Sequence, residues 1–377
     1  MRQIQFLLLF GLITLQLLAR QGSDAQFAQY MQKKLDSAVK KNNIFGVACS
    51  VRMPNGQSWT GFSGTYDTSG MSYFQPDELY QTASITKMFV ATLILQLAGE
   101  GKLSLDAPIK QFLPSYQWVD SLITVRQLLK HRTGIADYLT TNQEATRVFF
   151  LYPDSVWTPD HILSKYLIKP PLFTRESSFS YSNTNYLILG MIIEQVTGNQ
   201  FHQELRRRIL QPLGLRKTFM PPYEKPAAKM IRNWTDWNRD GVPDDASVMH
   251  GRGFASTIYT AGAMVSHPED LVKFCYLLHS GKLLGGLTPM LYDFSDVSVG
   301  PSNNGYGLGV MRYDLHDKTY YGHSGDINGF TNIVIYSPAD DLTLAIMINK
   351  DLQDRISLCK DLLSGLNTWL TASEVKN

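Results

Sequence analysis

The chain has only three cysteines in 377 residues, Cys49, Cys275 and Cys359. Their scatter excludes a disulfide framework and a cysteine-based zinc site, and an odd count leaves at least one thiol free, so stability must come from packing. Excess charge is equally scarce, with 35 Lys and Arg against 33 Asp and Glu and a net charge of +2. That balance supplies no basic stripe for nucleic acid and no acidic tail, which leaves a small molecule or a peptide as the expected partner. Internal repeats and low-complexity segments are missing as well. The apolar run from Phe6 to Ala19 covers only about 14 residues, where a membrane-spanning helix needs about 20. Preceded by Arg2 and followed by small and polar residues around Ser23, Asp24 and Ala25, it reads as a secretory signal peptide over residues 1–25. The mature protein is then expected to be periplasmic or secreted; an uncleaved membrane anchor is the alternative. No cysteine closely follows the run, so lipid-anchored cleavage has no acceptor.

What is present is a chain long enough for one large two-lobed domain or two domains. Phe27, Met31, Leu35 and Ala38 recur at helical spacing. "GVACSVR" and "SWTGFSG" flank Pro54-Asn55-Gly56 and read as a β-hairpin. The middle is mostly helical: "TVRQLLKHRTG", "NYLILGMIIEQVTG" and "PEDLVKFCYLLHSG" each run into a helix-ending glycine. Strand signals return in "YGLGVMRYD", "GFTNIVIYSP" and "LTLAIMIN", before a last amphipathic helix from about Asp351 to Leu370. The expected fold is α+β. One antiparallel sheet is assembled from both ends of the chain and flanked by helices, with an inserted mainly helical lobe over roughly residues 105–260 and a cleft between the lobes. Residues 26–377 would form this single domain.

The chemistry-bearing candidates begin with Ser-x-x-Lys, which occurs at Ser37/Lys40, Ser84/Lys87 and Ser357/Lys360. Only Ser84 opens a strongly apolar helix, "YQTASITKMFVATLILQLAGEG", ending near Gly101. Helical residues three apart share a face, so the Lys87 amine can sit beside the Ser84 hydroxyl, and the helix start adds free N–H groups where an oxyanion would form. An N-cap serine is the plainer reading of Ser84 taken alone. Tyr181-Ser182-Asn183 precedes a second apolar helix. A lysine beside Tyr181 would favour phenolate, which can accept the Ser84 proton, and Asn183 can donate to a substrate carbonyl while accepting from Lys87. As a bare pattern, these residues also suit a turn before a helix.

His-Ser-Gly occurs twice. His279-Ser280-Gly281 follows a helical run that Gly281 most simply ends. His323-Ser324-Gly325 lies between "KTYY" and "GFTNIVIYSP", on or beside an extended segment. There a glycine allows a substrate backbone to approach a strand edge, and a serine hydroxyl can hold a carboxylate or amide.

In this order, Ser84-x-x-Lys87, Tyr181-x-Asn183 and His323-Ser324-Gly325 resemble the serine β-lactamase and penicillin-binding-protein superfamily, in particular its class C β-lactamase and D-alanyl-D-alanine carboxypeptidase branch. "ITVRQLLKHRTGI", "TAGAMVSHPEDLVKF" and "YGLGV" are similar to further family landmarks. The resemblance implies a β-lactamase-like fold and an acyl-enzyme on Ser84. It makes Lys87 and Tyr181 the proton-transfer pair, with the base undecided. Asn183, His323, Ser324 and Gly325 would bind substrate, and the backbone N–H groups of Ser84 and Asp326 would form the oxyanion hole. No metal or organic cofactor is implied, and cell-wall peptides or β-lactams are the implied ligands. His323 departs from the lysine usual in class C β-lactamases. A mostly neutral histidine captures a carboxylate less strongly, which ranks a hydrolase of D-amino-acid peptides (D-alanyl-D-alanine carboxypeptidase-like) or of related amides and esters above a dedicated β-lactamase. The intact set of proton-transfer residues ranks an enzyme above a non-catalytic penicillin-binding sensor.

Two features invite a different reading. Asp236, Asn238, Asp240 and Asp244 around Gly241 resemble the start of a calcium loop, but Ser247 stands where the closing Glu belongs, and a tight polar turn is the simpler expectation. His131 ends a helix, whose C-terminus a cation would favour, and is expected to be structural.

Overall fold

The computed structural model describes residues 24–70, 72–247, 251–300 and 302–374. Most of the expected signal peptide therefore lies outside the described residues. Its last two residues already belong to a helix over 24–41 (α1), where Asp24 accepts a hydrogen bond from Gln57 Nε2 at 2.7 Å. Among the described residues no helix is long and apolar enough to cross a membrane.

The hairpin forms where its turn chemistry places it. Gly46–Arg52 (β1) and Ser58–Gly64 (β2) pair antiparallel around Gly56, whose φ of 82° suits glycine, while Asn55 accepts from the Gln57 N–H at 2.9 Å. The remaining strands of the main sheet come from the other end of the chain: Asn303–Tyr306 (β3), Met311–Leu315 (β4), Lys318–Ile327 (β5), Phe330–Ser337 (β6) and Leu342–Ile348 (β7). Their order is β2-β1-β7-β6-β5-β4-β3, antiparallel throughout, so β1 is joined to β7 with Val47 opposite Ile348 and Arg52 opposite Thr343.

Period-two alternation divides the core between the two faces of this sheet. Val47, Cys49 and Val51, with Leu344, Ile346 and Ile348, pack against Phe27, Met31 and Leu35 of α1 and against Leu358, Leu362 and Leu366 of the last helix, Arg355–Glu374. Ala48, Ala345 and Met347 point to the opposite face, toward the helical region. That region contains Thr86–Gly99 (α2), Asn183–Thr197 (α3), Arg252–Gly262 (α4) and Pro268–His279 (α5). Phe89 of α2 stacks on Phe274 of α5 with centroids 3.6 Å apart, and α3 ends at Gly198 in the left-handed conformation. All three cysteines are buried and free.

Several sequence expectations shift locally. "YGLGV" is only partly strand: Gly307 N–H donates to the Val310 carbonyl and Gly309 has φ 73°, so the chain turns there. The last helix begins at Arg355 rather than Asp351, because Leu352 has φ 54° and Asp354 serves as the cap, taking the Ser357 N–H at 3.0 Å. In the 236–244 loop the carboxylates are engaged by backbone. Asp236 accepts from Asp240 and Gly241 N–H, and Asp240 accepts from Val242 N–H, which is how a tight polar turn is held. No group of side chains suited to a metal occurs among the described residues.

Candidate active site

Ser84 is not an N-cap. It sits in a short 3-10 turn, Ala83–Ile85, one step before α2, and makes no side-chain cap. Ala83 carries φ 49°, a left-handed conformation unusual for alanine, so the backbone just before Ser84 is strained and held by its surroundings. Those surroundings are identifiable. Thr82 N–H donates to the Met264 carbonyl at 2.8 Å, Thr82 Oγ1 donates to the same carbonyl at 2.9 Å, and Asn332 Nδ2 donates to the Gln81 carbonyl at 2.9 Å.

One residue after that turn, α2 begins and carries Lys87 inward. Its side chain is fully buried, with Nζ 3.0 Å from Ser84 Oγ, 2.8 Å from Asn183 Oδ1 and 2.6 Å from the Ala261 carbonyl. Burial lowers its pKa from 10.5 to about 7, with the Asp137 carboxylate pulling the other way.

Asn183 opens α3, and its amide orientation is fixed by its neighbours: Oδ1 faces the Lys87 amine, while Nδ2 donates to Asp137 Oδ2 at 2.8 Å. The Asn183 N–H donates to the same carboxylate oxygen at 2.9 Å. Asp137 is thus a supporting residue that the motifs do not reveal. Its other oxygen caps the short helix Tyr138–Thr141, accepting from Leu139 N–H at 2.8 Å, and that cap signal is the only trace of it in the sequence.

Tyr181 has a half-buried ring whose hydroxyl is buried and makes no hydrogen bond of normal length among the described residues. Burial pushes its pKa well above the usual 10, opposed by the neighbouring Ser84 hydroxyl, which favours phenolate. The phenolate expected beside a lysine is therefore not the resting form: Lys87 Nζ lies 5.0 Å from the ring centroid, and burial disfavours the charged phenol. The loop is positioned by His131, whose carbonyl accepts from Ser180 N–H at 3.1 Å and whose Nδ1 accepts from Ser182 N–H at 3.1 Å. The His131 ring packs 4.2 Å from that of Tyr181. Because its Nδ1 accepts and burial holds its pKa well below 6.5, His131 is neutral. It acts by packing, and the expected favourable charge at a helix end is not its role.

The third segment lies on β5. The pairing of β4 with β5 ends at Met311 opposite Gly322, whereas β6 pairs with β5 through Ile327, so residues 323–327 have a free edge on the β4 side. Gly325 presses against the turn that carries Ser84. A Cβ there would lie 2.2 Å from the Thr82 carbonyl oxygen and 3.2 Å from the Ser84 nitrogen, which only glycine avoids. Ser84, Tyr181, Asn183, Ser324 and Asp326 line one cavity of about 300 Å³ together with Met311, Tyr313 and Arg355. His323 does not line it, which corrects its expected place as a substrate contact. The His323 ring is fully buried, with Nδ1 donating to the Ser324 carbonyl at 2.6 Å and Nε2 accepting from the Tyr306 hydroxyl at 3.1 Å. Burial, with the nearby Lys87, lowers its pKa to about 3. Gly325 likewise contributes by close approach and does not line the cavity. Arg355 is hidden in the sequence because, one turn inside a helix expected from about Asp351, it reads as an ordinary surface cation. The copies of Ser-x-x-Lys at Ser37 and Ser357 lie on α1 and the last helix, outside the cavity lining.

The described geometry has relatives. The Beta-lactamase family model matches residues 24–358. Penicillin-binding protein 4 of Amycolatopsis lactamdurans is 27% identical over 338 residues, covering 85% of this chain and 84% of that protein. Esterase EstB of Burkholderia gladioli is 25% identical over 339 residues, covering 80% and 84%. Among solved structures, a D-stereospecific amidohydrolase from Streptomyces sp. superposes with a TM-score of 0.75 at 30% identity, covering 88% of this chain and 97% of that one. The D-amino acid amidase of Ochrobactrum anthropi SV3 gives 0.79 at 26% identity, covering 90% and 98%. A Ser-Lys-Tyr corner on this sheet, matched along nearly all of the described chain by that family's model, makes the protein a serine hydrolase belonging to the beta-lactamase family, in the serine β-lactamase and penicillin-binding-protein superfamily.

Proposed function

We propose that the chain is an exported enzyme that is acylated on Ser84 by D-amino-acid amides, peptides or related esters and passes the acyl group to water. The observation carrying this reading is the environment of Lys87. A neutral amine has two N–H donors and one lone pair, and two of its three neighbours, Asn183 Oδ1 and the Ala261 carbonyl, can only accept. With both donors engaged there, the lone pair is left for the Ser84 hydroxyl 3.0 Å away. A pKa of about 7 makes that neutral form available at neutral pH.

Ser84 Oγ then gives its proton to Lys87 and bonds to the substrate carbonyl carbon. The oxyanion is taken by the Ser84 and Asp326 N–H groups. The protonated Tyr181 supplies a proton to the leaving nitrogen or oxygen as its bond to carbon breaks, and Lys87 restores that proton. Water next attacks the Ser84 ester, releasing the acid and regenerating the hydroxyl. Support for D-amino-acid substrates comes from the amidohydrolase and amidase neighbours, and support for esters from the esterase relative. Support for export comes from Arg2 and the apolar run behind it. D-alanyl-D-alanine carboxypeptidase action on cell-wall peptides is the peptide version of this reading; a class C-type β-lactamase and a penicillin-binding sensor are its competitors.

A panel of D-alanyl-D-alanine peptides, D-amino-acid amides, a chromogenic cephalosporin and short acyl esters tests the reading on wild type and Ser84→Ala. The variant is expected to lose turnover and covalent labelling while keeping its fold, at a cost within about 1 kcal/mol because Ser84 caps nothing. Turnover retained by the variant would remove Ser84 from its role.

A further inference from the structure

The wall of the cavity formed by the free edge of β5 and the start of the last helix contains a charge arrangement that bears on substrate choice. Arg355 is the one cation lining the cavity among the described residues, and its side chain is 16% exposed. A guanidinium in such a place would ordinarily anchor a carboxylate. Here its Nη1 already donates to Asp326 Oδ1. Asp326 itself lines the cavity, on the strand edge along which a substrate would lie, and its side chain is 59% exposed. A carboxylate arriving at Arg355 therefore meets a like charge already seated there.

Among the described residues no second cation makes up for this. Lys87 lies behind Ser84, with its contacts spent on Ser84, Asn183 and Ala261. His323 is fully buried, neutral and outside the lining. Behind burial, the charge of Asp326 adds to the rise in the Tyr181 pKa, so this wall reaches the Tyr181 hydroxyl.

We propose that Asp326 and Arg355 form a charge filter, in which Asp326 cancels the single lining cation so that the cavity accepts substrates presenting an uncharged amide or ester in preference to those presenting a free carboxylate. This rests on the acyl-enzyme reading of Ser84. It narrows that reading to amidase, aminopeptidase or esterase chemistry and away from carboxypeptidase chemistry.

The test compares kcat/KM for cleavage of the internal peptide bond, read as released D-alanine or D-alanine amide, in D-alanyl-D-alanine and its C-terminal amide, so that the acyl parts are identical, in wild type, Asp326→Asn, Arg355→Gln and the double variant. Wild type is expected to prefer the amide by tenfold or more. Asp326→Asn frees the guanidinium and should shift the ratio at least tenfold toward the carboxylate, and adding Arg355→Gln should abolish that shift. Arg355→Gln alone leaves Asp326 uncompensated and should deepen the discrimination, which keeps the test decisive if Asp326→Asn folds poorly. A ratio unchanged across all variants, or a wild type preferring the carboxylate, overturns the filter. Mass detection of an acyl adduct with p-nitrophenyl acetate, lost in Ser84→Ala, separates the two levels. An adduct with an unchanged ratio defeats the filter alone, whereas no adduct defeats the acyl-enzyme reading beneath it.

Discussion

The triplet His-Ser-Gly appears in two regions of the molecule, and the comparison shows what the chain asks of each residue. The histidines behave alike. His279 Nδ1 lies 3.0 Å from the Tyr292 hydroxyl and His323 Nε2 lies 3.1 Å from that of Tyr306, and burial lowers both pKa values to about 3. The difference lies in the glycines. Gly281 has φ 81° and follows the last turn of α5, so it is glycine for the sake of its own backbone. Gly325 lies in a strand and is glycine because the Thr82 carbonyl would otherwise collide with its side chain. One glycine ends a helix, and the other brings a strand edge up to Ser84.

Substitutions can break this contrast. Gly325→Ala should have the largest effect: the collision is with backbone that cannot rotate away, and a displacement of about 1 Å at Ser84 is worth about a hundredfold in kcat/KM. Near-normal acylation by an activated ester would refute the close-approach account. A smaller but diagnostic effect concerns pH. If neutral Lys87 accepts the Ser84 proton, kcat/KM rises as pH climbs toward about 7 and levels off above it. Since both histidines are already neutral throughout that window, His279→Gln and His323→Gln should leave the midpoint close to 7 even where they lower the plateau. A midpoint moving with either histidine would transfer the titration to it. Smallest of all, Gly281→Ala should cost about 1 kcal/mol in thermal or denaturant unfolding, with kcat/KM unchanged.

The same contrast explains how much could be read from the sequence. Ser84, Lys87, Tyr181, Asn183 and Ser324 were legible because each belongs to a local pattern whose order along the chain restricts its meaning. The hairpin and α3 were legible because their turn and cap residues are local too. The 3-10 turn holding Ser84 was not, since Ala83 adopts φ 49° only under contacts from Met264 and from the β5 and β6 strands. Asp137, which orients Asn183, and Arg355, which pairs with Asp326, were hidden for the same reason. Locally Asp137 looks like an ordinary helix cap and Arg355 like an ordinary helix-surface cation, and the second function of each exists only after distant segments meet. The buried neutral state of His323 likewise depends on Tyr306 and Lys87.

The union of β1 with β7 has a consequence for the life of the chain. Ser84 is made early, yet the strand edge it works against is translated 240 positions later, and the sheet that supports both closes only when Leu342–Ile348 slots in beside Gly46–Arg52. A ribosome-bound or truncated chain carries Ser84 without its opposing wall. On the proposed role of Ser84, hydrolytic competence would switch on only with synthesis of the tail, and an unfinished copy would have no assembled site with which to attack anything it meets.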